Sequence, residues 1–80
     1  MGVENRVAII TGSASGMGKD TAFMLAKNGA KIVINDIAAD KVDQTAKEMR
    51  DMGYDAIGIV ADISNKAAVE SMVAETVKAF

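Results

Sequence analysis

The chain contains no cysteine, no histidine, no proline and no tryptophan. The absence of cysteine excludes disulfides and thiol chemistry, and it is compatible with a reducing compartment. The absence of histidine removes the side chain that most often acts as a general base near neutral pH. Chemistry that depends on either residue type is therefore excluded from these 80 residues.

The chain also lacks a basic excess and long apolar runs. Its formal net charge of −2 and pI near 4.9 argue against nucleic acid or an acidic membrane surface as a partner. The apolar runs are too short to span a bilayer, so no membrane segment or signal peptide is expected. Met1-Gly2 begins no myristoylation motif, because Arg6 stands where that motif has Ser or Thr. A cytoplasmic location is expected.

Half of the residues are hydrophobic, and short β-branched runs alternate with amphipathic stretches. This alternation predicts one small α/β unit, whose core is marginal at this length. The predicted strands cover residues 7–10, 31–35 and 56–61. The predicted helices cover residues 17–28 and 39–52, and a third helix follows Ser64 as its N-cap.

Strands that alternate with helices predict a parallel sheet with right-handed crossovers, in the order 3-2-1. The first two helices are expected on one face of the sheet, and the third helix is expected to cross to the other face. In a doubly wound fold a fourth strand lies beside the first. The sequence stops before such a strand, so the first strand is expected to have a bare edge.

Periodicity also predicts which side chains form the core. The first strand is expected to be buried on both faces, and the second strand is expected to be buried as well. The first helix is expected to turn Met17, Ala22, Leu25 and Ala26 toward the sheet. The second helix should use Val42, Ala46 and Met49, and the third Val69, Met72, Val73, Thr76, Val77 and Phe80. The methionines Met24, Met49, Met52 and Met72 are interpreted as core filler.

The stretch from Thr11 to Lys19 links the first strand to the first helix and contains three glycines. A strand, a glycine turn and a helix N-terminus together form an anion site, because the first backbone N–H groups of a helix have no partner within it. The spacing Gly12-x-x-x-Gly16-x-Gly18 matches neither the G-x-G-x-x-G fingerprint nor a P-loop. The alternative is a tight turn that uses glycine only for its geometry.

The pattern Thr-Gly-x-x-x-Gly-x-Gly resembles that of the short-chain dehydrogenase/reductase family, and the resemblance extends from Val7 to about Phe80. It implies a Rossmann-type βαβαβα arrangement, in which residues 1–80 form the N-terminal, dinucleotide-binding part of one domain and end before its fourth strand. It also implies an oxidoreductase that moves hydride between a nicotinamide and an alcohol or ketone, and a homo-oligomer, either dimer or tetramer, in the full-length form.

Two aspartates at strand ends support this resemblance. Asp36 follows the second strand, where a carboxylate can bind the ribose hydroxyls and repel a 2′-phosphate, so NAD is predicted over NADP. The family keeps an Asp and an aliphatic residue against the adenine, which implies that Asp62 accepts from the adenine amino group and that the Ile63 N–H meets a ring nitrogen. The alternatives are that Asp36 starts a turn or caps a helix, and that Asp62-Ile63-Ser64 is a turn before the third helix.

The residues predicted to bind the cofactor share the carboxyl edge of the sheet: Gly12, Ser13, Ser15, Gly16, Met17, Gly18, Asp36, Ile37, Asp62 and Ile63. The Ser13 hydroxyl is a candidate extra donor to the diphosphate. Lys19 is expected on the solvated side of its helix.

No catalytic or metal-binding residue is expected. The family uses a Tyr-x-x-x-Lys pair, whereas Tyr54 is the single tyrosine and Gly58 stands four residues after it. The 80-residue chain by itself is therefore expected to be inactive. One alternative is a free-standing, non-catalytic nucleotide-binding module. A methyltransferase that binds S-adenosylmethionine is a weaker alternative, because the glycine spacing and Asp62-Ile63 disfavour it.

Overall fold

The computed structural model describes residues 2–80, in which three parallel strands form one sheet. The strands are β1 (Val7–Thr11), β2 (Lys31–Asp36) and β3 (Ala56–Val60), and the helices are α1 (Gly16–Lys27), α2 (Ala39–Asp51) and α3 (Lys66–Ala79). The sheet order β1-β2-β3 confirms the predicted α/β class and strand order. It also confirms that β1 is an edge strand, with β2 as its neighbour in the sheet.

Helices α1 and α2 pack on one face of the sheet. Ala22 and Ala26 of α1 are buried against it, and these small side chains let the helix approach the strands closely. In α2 the predicted stripe of Val42, Ala46 and Met49 is fully buried in the same cluster. This layer therefore contains most of the hydrophobic core.

Helix α3 packs on the opposite face, as predicted. Its Met72 joins Val33 of β2 and Ile59 of β3 in a second, smaller cluster. The prediction for the rest of its apolar stripe is wrong in part, because Val73 and Val77 are exposed. Among the described residues no other helix lies beside α3 on this face, so only the side of α3 that meets the sheet is covered.

Several side chains that were expected in the core are exposed. Strand β1 is half-exposed because it lies at the edge, whereas the middle of β2 is fully buried. Met17 lies in the first turn of α1, beyond the end of the sheet, and is 86% exposed. Met24 and Met52 are exposed as well, so only Met49 and Met72 of the predicted methionines fill the core.

The helix ends follow the expected chemistry with one exception. Gly29 and Gly53 come just after α1 and α2 and adopt φ angles of +95° and +90°, a backbone region that glycine enters without steric cost. The prediction of Ser64 as the N-cap of α3 is wrong. Asn65 is the N-cap, and its side-chain oxygen accepts a hydrogen bond from the Ala68 N–H at 3.1 Å.

The three helices contain 12, 13 and 14 residues. Within residues 2–80 none of them has the length and apolar character that a bilayer crossing requires.

Candidate cofactor site

The carboxyl ends of the three strands meet at one edge of the sheet. Thr11 of β1 pairs in register with Asn35 of β2, and Asp36 of β2 pairs with Val60 of β3. The three loops that follow these strands therefore begin side by side. In open α/β sheets this edge is where ligands bind.

The loop between β1 and α1, residues 12–15, depends on its glycines. Gly12 and Gly16 have φ angles of +63° and +61°, and a Cβ built on either one meets no atom of the described residues within 4 Å. Gly18 is different, because its Cβ would lie 2.5 Å from the Gly12 carbonyl oxygen and 3.0 Å from the Ser13 Cα. The first two glycines thus set the path of an open loop, and the third lets α1 pack against that loop.

The N-terminus of α1 presents backbone donors to this loop. Ser15 occupies the N-cap position with extended backbone, and its side chain forms no capping hydrogen bond within the described part of the chain. The first turn of α1 contains no acidic residue. The positive end of the helix dipole and the first N–H groups therefore suit an anion such as a diphosphate.

Buried hydrogen bonds hold the same loop against the sheet. The Ser13 hydroxyl donates to the Ile10 carbonyl and accepts from the Asn35 N–H at 3.0 Å. The Thr45 hydroxyl of α2 donates to the Ala14 carbonyl at 3.3 Å. Because Ser13 is fully buried and its hydroxyl hydrogen is already used, the predicted role of this hydroxyl as an extra donor to a diphosphate is wrong. Its side chain instead shapes the loop.

Asp36 ends β2 beside the glycine loop. Its side chain is half-buried, and its Oδ1 accepts a hydrogen bond from the Ile37 N–H at 2.8 Å. Asn35 on one side is buried and neutral, and Ile37 on the other is exposed and apolar. The carboxylate thus lies at the sheet edge with no cationic side chain directly next to it in the sequence.

Asp62 closes the turn that leads into α3. Its Oδ1 accepts from the Ser64 hydroxyl at 2.7 Å and from the Ser64 N–H at 2.9 Å. The hydroxyl hydrogen bond first, and the backbone one second, hold the pKa of the Asp62 carboxyl below its ordinary value. The turn that was considered as an alternative role for Asp62 is therefore present in the structure, and the carboxylate stays exposed and ionised near neutral pH.

An exposed apolar side chain follows each of the three strands at this edge, in the first turn of α1 or in the loop after β2 or β3. Met17 follows β1, Ile37 follows β2 and is 71% exposed, and Ile63 follows β3. Exposed apolar groups at one edge, next to carboxylates and backbone donors, match the mixed character of a nucleotide, whose base has apolar ring faces and polar edges and whose phosphates are charged.

Two other residues lie away from this edge or are engaged elsewhere. Lys19 was predicted on the solvated side of its helix. In the structure its side chain is partly covered and forms an ion pair with Glu48 of α2 at 3.2 Å, so it links the two helices. Tyr54 precedes β3 at the opposite edge of the sheet, where it packs against the main core. The single tyrosine of the chain is thus remote from the loops that form the candidate site.

Two residues that organise the site were missed by the sequence interpretation. Asn35 is buried within β2, and its side-chain amide donates to the Ile59 and Ala61 carbonyls. Thr45 is buried in α2 beneath the glycine loop. The available signal was a polar residue inside an otherwise apolar strand or stripe, because such residues are buried only with hydrogen-bond partners.

A sequence model of the family described as short chain dehydrogenase matches residues 6–80, nearly the whole chain. The chain belongs to the short-chain dehydrogenase/reductase family. Among curated proteins, it is 59% identical over 80 residues to (2S)-[(R)-hydroxy(phenyl)methyl]succinyl-CoA dehydrogenase subunit BbsD of Thauera aromatica. That match covers 100% of this chain and 32% of the relative. It is 41% identical over 76 residues to an (S)-acetoin-forming diacetyl reductase of Staphylococcus epidermidis, and the match covers 95% of this chain and 30% of the reductase.

Two solved structures share the fold of this chain. A short-chain dehydrogenase/reductase from Burkholderia phymatum, crystallised in complex with NAD, superposes with a TM-score of 0.96 at 32% identity, over 100% of this chain and 28% of that one. A hydroxysteroid dehydrogenase from Escherichia coli gives a TM-score of 0.90 at 29% identity, over 95% of this chain and 31% of that one. The chain thus spans about a third of the length of these relatives and solved structures.

Proposed function

We propose that these residues bind the adenosine diphosphate portion of NAD within a short-chain dehydrogenase/reductase. The observation that carries the proposal is the open glycine loop at the N-terminus of α1, next to Asp36 at the end of the neighbouring strand. The superposition of the entire chain on a family member crystallised with NAD supports the same reading. The chemistry of the cofactor, when bound, is the acceptance or donation of a hydride at its nicotinamide ring.

The diphosphate would lie against the glycine loop. Gly12 and Gly16 leave open space above their backbone, so phosphate oxygens can approach the N–H groups of the first turn of α1. Ser15, the exposed N-cap residue of α1, lies on the same surface. Backbone donors that are already fixed in place bind an anion without a further cost in ordering.

The sugar and the base would lie over the ends of β2 and β3. Asp36 would accept hydrogen bonds from the two ribose hydroxyls, and its charge would repel the 2′-phosphate of NADP. Ile37 and Ile63 offer exposed apolar surface for the two faces of an adenine ring. The Asp62 carboxylate, which is ionised near neutral pH, would accept from the adenine amino group.

The whole protein would use this cofactor to oxidise an alcohol or reduce a carbonyl group. The dehydrogenases and the reductase that the chain matches support this reaction class. The proton transfer would depend on residues outside this 80-residue chain, since its single tyrosine lies at the opposite sheet edge. A homo-oligomeric assembly and a cytoplasmic location stay predictions, which native mass measurement and cell fractionation can test.

The proposal is tested by measuring cofactor preference in the protein that carries this chain. Calorimetric titration of the wild type is expected to give tighter binding of NAD than of NADP. Asp36→Ala should weaken NAD binding and reduce the preference roughly tenfold or more, which corresponds to about 1.4 kcal/mol.

The matched control is Asp55→Ala, which removes an exposed carboxylate at the opposite edge of the sheet. Its cofactor preference should equal that of the wild type. Absence of NAD binding in the wild type, or an unchanged preference in Asp36→Ala, would contradict the proposal.

A further inference from the structure

Asn35 is a buried polar residue in the otherwise apolar middle of the sheet. It lies in β2 with only 1% of its surface exposed, two positions after the apolar Val33. Asparagine is disfavoured in strands, and a buried amide without partners is costly. An apolar side chain would therefore be favoured at this position unless the amide forms hydrogen bonds.

The side chain of Asn35 holds the end of β3. Its Nδ2 donates to the Ile59 carbonyl at 3.0 Å and to the Ala61 carbonyl at 3.3 Å. These two acceptors lie on either side of the last residue of β3, and Ala61 directly precedes Asp62. Both amide hydrogens are thus used to fix the point where the chain leaves the sheet and enters the Asp62 turn.

The backbone of Asn35 holds the glycine loop on its other side. Its N–H donates to the Ser13 hydroxyl at 3.0 Å, and its carbonyl accepts from the Ser13 N–H at 2.9 Å. The next residue along the chain is Asp36. A single residue therefore connects the glycine loop and the turn that carries Asp62, and it directly precedes Asp36.

We infer that Asn35 is a positioning residue that fixes the distance between the glycine loop and the Asp62 turn, and so aligns the two halves of the adenosine diphosphate site. This inference deepens the proposed function and rests on it. The amide is suited to this role because it supplies two donors to two carbonyl oxygens. An aspartate would set a negative charge against the same oxygens, and a leucine would fill the space without holding either one.

The test uses Asn35→Leu in the protein that carries this chain, with NAD binding measured by calorimetry. Loss of two buried hydrogen bonds that align the site is expected to weaken NAD binding about tenfold. Thr76→Val is the matched control, because it removes a buried hydroxyl that donates to the Met72 carbonyl at 2.8 Å in α3, far along the helix from the site. That variant should lose stability and bind NAD as the wild type does.

A double-mutant cycle separates positioning from a general loss of stability. If Asn35 acts by placing the Asp62 turn, Asn35→Leu should cost much less affinity in an Asp62→Ala background than in the wild type. Additive losses in the cycle would overturn the inference. Asn35→Ser, which is smaller and too short to reach both carbonyls, provides the same comparison if the leucine variant does not fold.

The outcomes distinguish the two levels of the argument. A wild-type protein that does not bind NAD overturns the proposed function, and this inference with it. Normal NAD binding in the wild type together with unchanged affinity in the Asn35 variants overturns this inference alone, and leaves the NAD site standing.

Discussion

The glycines at the candidate site have different structural roles. Gly16 has a φ of +61° and open space where a side chain would stand, whereas a Cβ at Gly18 would overlap backbone atoms of the loop. A side chain at Gly16 would therefore fill the space above the loop, and one at Gly18 would force the loop and the helix apart. A substitution at Gly16 therefore tests the site without displacing the surrounding backbone, and a substitution at Gly18 does not.

We expect Gly16→Asn to block cofactor binding by occupying the diphosphate position. Asparagine is chosen because it tolerates positive φ better than other side chains. NAD affinity in the protein that carries this chain should fall by roughly tenfold or more, about 1.4 kcal/mol of binding free energy. Calorimetric titration measures this change.

Gly53→Asn is the control for backbone strain. Gly53 also has a positive φ, at +90°, and open space around it, but it lies after α2 at the opposite edge of the sheet. Both variants should lose a similar amount of stability, and only the Gly16 variant should lose affinity. Equal NAD affinity in the two variants would show that the diphosphate does not lie against the glycine loop.

Some features of the candidate site could be predicted from single residues in the sequence, and others could not. The glycine spacing and the two aspartates could be found in the sequence because each has a local signature. The role of Ser13 could not be found in this way, since the acceptor of its hydroxyl hydrogen is set by the path of the loop past Ile10. Asn35 was missed because its partners, Ile59 and Ala61, come from a different strand.

At the scale of elements, the start of α3 is built from two successive side-chain turns. Asp62 accepts from Ser64, and Asn65 then caps the helix through the Ala68 N–H. Both interactions belong to residues that favour turns and N-caps. The sequence Asp62-Ile63-Ser64-Asn65 contains three competent capping residues, so the identity of the N-cap depended on the exact length of β3.

The Asp62 turn makes a pH-dependent contribution to the stability of the folded chain. Because the pKa of Asp62 is lowered in the folded chain, its stabilising effect is complete above the ordinary Asp pKa of about 3.9. The effect is lost as the pH falls through the lowered pKa of the folded state. Ser64→Ala removes the hydroxyl donor and leaves the backbone one, so it should raise the pKa of Asp62 part of the way toward its ordinary value.

Carboxyl NMR titration measures that pKa directly. The stability difference between wild type and Ser64→Ala should be larger at about pH 7 than at about pH 3, on either side of the ordinary Asp pKa. Ser71→Ala, an exposed position in the middle of α3, is the control and should leave the titration unchanged. A Ser64→Ala variant whose Asp62 titrates as in the wild type would show that the hydroxyl does not stabilise the carboxylate.

At the scale of the whole molecule, the two faces of the sheet are covered unequally. Two helices and the larger core lie on one face, and α3 alone lies on the other among the described residues. Val7 of β1 and Val77 of α3 remain exposed, and within residues 2–80 one edge of β1 has no strand beside it. Exposed strand edges and apolar surface favour association between chains.

The 80-residue chain, produced alone, is therefore expected to self-associate at micromolar to millimolar concentrations. Val7→Lys should reduce this association, because a charge on an edge strand opposes pairing with another strand. Gln44→Lys adds the same charge on the exposed side of α2 and should have little effect. Analytical ultracentrifugation over a range of concentrations measures the difference, and a wild-type chain that stays monomeric throughout would refute the expectation.

The sequence by itself determined the order of strands and helices, the face that each helix takes and the edge at which the glycine loop and the two aspartates lie. These features follow from local periodicity and from the handedness of parallel crossovers, which depend on the chain alone. The tertiary structure decided which apolar side chains are covered, which residue caps α3 and which buried polar groups join the loops. Those outcomes depend on contacts between segments far apart in the sequence, such as Asn35 with Ala61, and no local pattern specifies them.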